Sequence, residues 1–167
     1  EEGLLTAEEL DSARRDKPDR VDYPWLLETR IPLLRKAWAR GRARYARELA
    51  EFLEAERSWL PDYALFLALR DRFDGKPLAD WPDELRLRKQ SALEKARAEL
   101  KEACDFHAFL QLLFFRQWTA VKAYANGKGI SIIGDLPIYV SPDSAEVWAR
   151  PELFQLKEDM TPAGVAG

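Results

Sequence analysis

The chain has 167 residues, 47% of them hydrophobic and 33% charged, with a formal net charge of −3. This is the composition of a globular protein with a real core, and so small a charge implies no strong electrostatic partner such as nucleic acid or an anionic membrane. Its one cysteine, Cys104, excludes an internal disulfide framework and suits a reducing compartment. There is no signal peptide and no spanning apolar run, so a cytoplasmic location and no membrane partner are expected. The sequence opens on Glu1 rather than methionine, which leaves a preceding targeting segment open.

Thr6-Ala-Glu-Glu9 has the form of a capping box, with Thr6 as N-cap and Glu9 at the third helical position. A short helix is predicted to follow, to about residue 15, and Asp16-Lys-Pro-Asp19 to break it. A second helix is predicted over 24–40, with Leu26, Leu27, Ile31, Leu34 and Trp38 on one side and Gly41 as its terminator. Further helices are predicted over 43–57 and 62–73. Residues 74–82 carry two prolines and a glycine and read as a loop pinned by Trp81. Helical signal resumes at 91 and runs to 125, with a break near Glu102, until Asn126-Gly-Lys-Gly129 ends it.

Next comes the most informative stretch, Ile130-Ser-Ile-Ile-Gly-Asp-Leu-Pro-Ile-Tyr-Val140. Its nearly continuous, β-branched apolar run reads as a strand buried on both faces, as in a parallel sheet covered by helices. Helix, Gly-containing turn and buried strand together make half of a βαβ unit, so the fold class reads as α/β. A parallel strand needs neighbours on both edges, and the chain offers no second run like this one. The chain therefore reads as a piece of a larger protein. Beyond Trp148, Phe154-Gln-Leu156 and Ala163-Gly-Val-Ala166 flank a turn at Thr161-Pro162 and suggest a weak hairpin.

Asp135 stands near the C-terminal end of the predicted strand. In parallel sheets a carboxylate there points into the active-site mouth, where it can hydrogen-bond sugar hydroxyls or orient a catalytic partner. It can equally be a simple turn cap. Asp143-Ser144 can cap a short helix containing Ala145-Glu-Val-Trp148. Trp148 reads as a core anchor, with a sugar-stacking face as the alternative. Phe106, Phe109, Leu110, Leu113, Phe114, Gln117 and Trp118 fall at helical spacing, the pattern of a core-facing stripe. Cys104 and His107 lie one turn apart, but no second Cys/His pair completes a zinc site. The run from Arg30 to Arg47 holds seven cations and no acid, which would favour an acidic partner such as RNA. Its interleaved apolar residues and the following Glu48, Glu51, Glu54 and Glu56 favour a solvated face instead. No phosphate loop, dinucleotide fingerprint or Ser/His/Asp triad is present.

Gly134-Asp-Leu-Pro-Ile-Tyr-Val140, Asp143-Ser-Ala-Glu-Val-Trp148 and Pro151-Glu-Leu-Phe154 together resemble the 4-α-glucanotransferases known as amylomaltases, or disproportionating enzymes. Trp59-Leu-Pro-Asp-Tyr-Ala-Leu-Phe66 and Trp81-Pro-Asp-Glu-Leu-Arg86 extend the resemblance upstream. The resemblance implies part of a (β/α)8 TIM barrel with a large helical insertion. Residues 1–100 would be the insertion, 101–140 a barrel helix and the third barrel strand, and 141–167 the start of a loop subdomain. It implies retaining transfer of α-1,4-glucan segments between maltooligosaccharides, through a carboxylate nucleophile and a second carboxylic acid that lie outside this chain. Asp135 and Asp143 would contact substrate; no catalytic residue, metal or cofactor is implied. Ser141-Pro142, Met160 and Gly164 depart from the family pattern, the last two weakening the hairpin. A helical binding or scaffold module for an acidic partner is the reading from a different class.

Overall fold

The computed structural model describes residues 3–15 and 20–164. The chain divides into two compact units, Glu1–Phe52 and Leu53–Gly167. The predicted breaker 16–19 lies outside the described residues.

In the first unit, helix α1 (Ala7–Ser12) forms as the capping box requires. Thr6 Oγ1 accepts from the Glu9 N–H at 3.2 Å, and Glu9 Oε2 accepts from the Thr6 N–H at 3.0 Å. Helix α2 (Tyr23–Ala55) starts where Asp22 Oδ1 accepts from the Trp25 N–H at 3.2 Å. It runs without interruption through Gly41, where two helices had been expected. The glycine serves close packing rather than termination: a Cβ there would stand 3.1 Å from Leu4 Cδ2 and 3.2 Å from Tyr45 Cδ2. Leu33, Ala37, Trp38, Tyr45 and Leu49 form its buried stripe. Glu9 reaches from α1 to α2, accepting from Arg40 Nη1 at 2.6 Å and Nη2 at 2.9 Å.

The second unit is built on α3 (Leu60–Arg72), which packs chiefly against α6 (Lys101–Gly127) and α7 (Ala145–Ala149). Between α3 and α6 come a 3₁₀ turn (Leu78–Asp80), α4 (Asp83–Arg86) and α5 (Gln90–Glu99). The break in the long helical region falls at Leu100. Leu65, Phe66 and Leu69 of α3 join Leu78, Trp81, Leu93, Ala96 and Trp148 in one core cluster. Its centre is a triad of rings, with Phe66–Trp81 centroids 5.2 Å apart, Phe66–Trp148 5.8 Å and Trp81–Trp148 6.0 Å. Trp81 does pin the loop: its Nε1–H donates to the Lys76 carbonyl at 3.0 Å.

Helix α6 ends in a Schellman arrangement. The Gly129 N–H donates to the Asn126 carbonyl and the Ile130 N–H to the Ala125 carbonyl, each at 3.0 Å, with Gly129 at φ 76°. The predicted stripe is only half covered. Phe106 and Phe109 are buried, while Phe114 and Trp118 are exposed.

The expected buried parallel strand is not formed. Residues 130–140 carry no strand, and Ile133, Leu136 and Ile138 are 92%, 85% and 88% exposed. The reason is physical. A strand is stable only when its backbone groups pair with neighbours, and the described residues contain a single β-bridge, Leu156 with Pro162. That antiparallel bridge, flanked by the Lys157 N–H on the Thr161 carbonyl and the Ala163 N–H on the Gln155 carbonyl, each at 2.8 Å, is what stands at the predicted hairpin. Met160 takes φ 65° at its turn, a conformation glycine would adopt without strain. Val165 and Ala166 lie outside the described residues.

Candidate functional site

Asp135 lies in the exposed segment that leaves α6, between two anchored ends. One is the Gly129 turn. The other begins at Ser141, whose Oγ accepts from the Asp143 N–H at 3.3 Å. Asp135 is itself exposed, so its carboxylate is open to a ligand. An ionised carboxylate can accept charge-assisted hydrogen bonds from sugar hydroxyls, each of about 1.5–3 kcal/mol.

Asp143 is differently placed. Its Oδ1 accepts from the Leu78 N–H at 2.8 Å, and its Oδ2 lies 3.4 Å from Arg70 Nη2. The cap of α7 falls to Ser144, whose Oγ accepts from the Val147 N–H at 3.3 Å. Trp148 is fully buried, which leaves no face for a sugar ring. Its Nε1–H donates to the Leu85 carbonyl at 2.9 Å, and the Arg88 guanidinium lies 4.3 Å from its ring centroid. Asp62 of α3 accepts from both Arg88 and Arg97 at 2.8 Å. Sequence reasoning passed over Leu78, Arg70, Asp62 and Arg88. Asp62 and Arg88 stand 26 positions apart, and Leu78 and Arg70 meet Asp143 from 65 and 73 positions away, distances at which no periodicity links residues. The far end of the segment, Tyr139 and Val140, lines an apolar cleft of about 270 Å³ with Pro142, Val147, Phe154 and Leu156.

The other sequence candidates resolve into packing. His107 Nε2 lies 3.0 Å from Asp71 Oδ2. Burial pushes the neighbouring Cys104 thiol up to about 11. No group of three or more potential metal ligands occurs among the described residues. The basic run is met by acids: Glu9 engages Arg40 and lies 3.3 Å from Lys36, and Arg47 lies 3.2 Å from Glu51. No helix among the described residues is long and apolar enough to cross a membrane.

A family model described as 4-alpha-glucanotransferase matches residues 1–167, the whole chain. The chain belongs to the 4-alpha-glucanotransferase family. A 4-alpha-glucanotransferase of Thermus thermophilus is 49% identical over 152 residues, which are 89% of this chain and 30% of that protein. The chloroplastic/amyloplastic 4-alpha-glucanotransferase of Solanum tuberosum is 39% identical across 100% of this chain and 30% of its own length. Among solved structures, the amylomaltase from Streptococcus agalactiae in complex with acarbose superposes with a TM-score of 0.89 at 42% identity. That match covers 99% of this chain and 34% of the amylomaltase. The chain thus spans about a third of the length of the 4-alpha-glucanotransferases it matches.

Proposed function

We propose that the complete protein carrying this segment is a 4-α-glucanotransferase that moves α-1,4-glucan segments between maltooligosaccharides. The observation that carries this reading is the superposition of nearly the whole chain on an amylomaltase bound to acarbose. In the proposed mechanism a carboxylate nucleophile forms a glycosyl-enzyme intermediate, and a second carboxylic acid serves as acid and then as base, so that configuration is retained. Both groups belong to parts of the protein outside this chain. This segment supplies Asp135, which binds hydroxyls of the sugar next to the scissile bond.

The same reading accounts for the unpaired segment 130–140. In the complete protein it would take the place of the third strand of a (β/α)8 barrel, with the preceding helices as an insertion beside the barrel. Its β-branched apolar residues would then find the neighbours that this chain does not contain. The proposed compartment of a bacterial-type enzyme is the cytoplasm, whereas the potato relative is named for plastids.

Disproportionation of maltotriose tests the function. The full-length protein is expected to yield glucose and longer maltooligosaccharides, and this isolated chain to yield neither. Transfer by the purified chain alone would overturn the assignment of the catalytic pair to other parts of the protein. A full-length protein inactive on every α-1,4-glucan would overturn the function itself.

A further inference from the structure

We propose that Arg86 is a positioning residue: it clamps the turn of the Leu156–Pro162 hairpin onto the helical core, and through that hairpin sets how tightly a glucan is gripped. The functional half rests on the glucan-transfer reading, in which residues that follow the third barrel strand stand on the catalytic face of the barrel. The clamp itself rests on contacts made within this chain.

Helix α4 grips the stretch beyond residue 140 at two points. Its Leu85 carbonyl accepts from the Trp148 Nε1–H at 2.9 Å, which ties down α7. Its Arg86 reaches the hairpin: Nη1 donates to the Asp159 carbonyl in the turn, while Nη2 donates to Asp83 Oδ1 of the same helix at 2.8 Å. The Arg86 side chain is only 13% exposed, so this fork works largely away from water, where a hydrogen bond is stronger. A planar guanidinium can serve both acceptors at once, the inner one aiming it at the outer.

The turn is internally closed, so gripping one carbonyl grips all of it. The Met160 N–H donates to the Lys157 carbonyl at 2.9 Å, and Asp159 Oδ1 accepts from the Thr161 N–H at 3.0 Å and from its hydroxyl at 2.6 Å. The Met160 side chain packs on the core cluster that holds Trp81 and Trp148. One polar and one apolar contact thus seat the turn on the helical core. Beyond the turn, Gln155, Leu156 and Pro162 line the same cleft as Tyr139 and Val140, at the end of the segment that carries Asp135. A displaced turn shifts the hairpin against that segment. Arg86 therefore acts on substrate binding through the hairpin, without touching a glucan.

Two measurements on the full-length protein test this. Amide hydrogen exchange reads the clamp alone. Arg86→Met should speed exchange about tenfold at Lys157 and Ala163, whose N–H groups close the hairpin, and leave the amides of α3 and α6 unchanged. Unchanged exchange at those two amides, or faster exchange throughout the core, overturns the clamp. Maltotriose disproportionation reads the consequence. KM should rise about fivefold with kcat held within about twofold, since the catalytic carboxylates belong to other parts of the protein. An unchanged KM, even beside a lowered kcat such as partial unfolding gives, overturns the positioning role. Arg86→Lys can still donate to the Asp159 carbonyl but not to Asp83 as well, and should fall between wild type and Arg86→Met in both readouts. A lysine no better than methionine overturns the bond to Asp159 as the basis of the clamp. A wild-type protein without transfer would sink the functional half together with the glucan-transfer reading, and leave hydrogen exchange to decide the clamp.

Discussion

Arg88 takes a left-handed backbone conformation, φ 55°, and from it lays its guanidinium 4.3 Å from the centroid of the Trp148 ring. Any L-residue with a Cβ is disfavoured there by about 1–2 kcal/mol, because the Cβ crowds the following carbonyl oxygen. The Arg88 side chain offsets this cost by covering the buried indole and by pairing with Asp62 at 2.8 Å. Sequence position thus trades backbone comfort for a lid over Trp148.

That trade predicts an unusual order of stabilities. Arg88→Ala loses both side-chain contacts and keeps the strained φ. Arg88→Gly loses the same contacts but relieves the backbone. The glycine variant should be the more stable of the two by about 1 kcal/mol, the reverse of the usual ranking. Urea denaturation of the two variants measures the difference, and a more stable alanine variant would refute the account.

Gly41 should resist enlargement. Gly41→Val would drive its side chain into Leu4 and the buried Tyr45 ring, already 3.1 and 3.2 Å from a bare Cβ. A loss of about 1–3 kcal/mol is expected from overpacking, in spite of the better helix propensity of valine over glycine. Thermal unfolding followed by circular dichroism checks this; an unchanged Tm would mean that Leu4 simply moves aside.

Glu9 should titrate unusually low. The hydrogen bonds from Arg40, then that from the Thr6 amide, hold its carboxyl at about 2 instead of the ordinary 4.5. A depressed folded-state value means that the contribution is fully present above the ordinary carboxylate range and is lost as pH falls through that range toward 2. An NMR titration of the Glu9 side-chain carbon should show the low midpoint, and Arg40→Met should return it toward the ordinary range. Added salt should weaken the effect, because the Arg40 side of the pair is open to solvent.

Asp135→Asn should leave the fold intact and impair transfer in the full-length protein. The exposed side chain supports no described neighbour, so Tm should not move. Loss of charge-assisted bonds that strengthen in the transition state should lower kcat/KM by roughly ten- to a thousandfold. Melting and maltotriose transfer measured on one preparation decide it. A wild-type rate would leave Asp135 as a turn residue only.

Local chemistry was legible in the sequence. The Thr6–Glu9 box, the Gly129 terminator and the Trp81 pin each depend on residues a few positions apart, and each forms as read. Gly41 was misread because a glycine that ends a helix and one that admits a neighbour are identical in sequence; only Leu4, far along the chain, tells them apart. The run 130–140 was read as buried from its own composition, but burial is a property of partners. Asp143 looked like a cap beside Ser144, while its acceptor role toward Leu78 spans 65 positions. The candidate site was legible in identity, through Asp135, and illegible in its supports.

The exposed run carries a consequence for the behaviour of the isolated chain in solution. Ile130, Ile132 and Ile133 on one side and Ile138, Tyr139 and Val140 on the other are the kind of short, uncharged, β-prone windows that seed intermolecular sheets. Gly134, Asp135 and Pro137 stand between them. A charge and a proline placed so act as gatekeepers against edge-to-edge stacking. The aspartate proposed to greet a sugar is thus also the residue that separates two adhesive stretches, and any substitution there tests colloidal behaviour as well as binding.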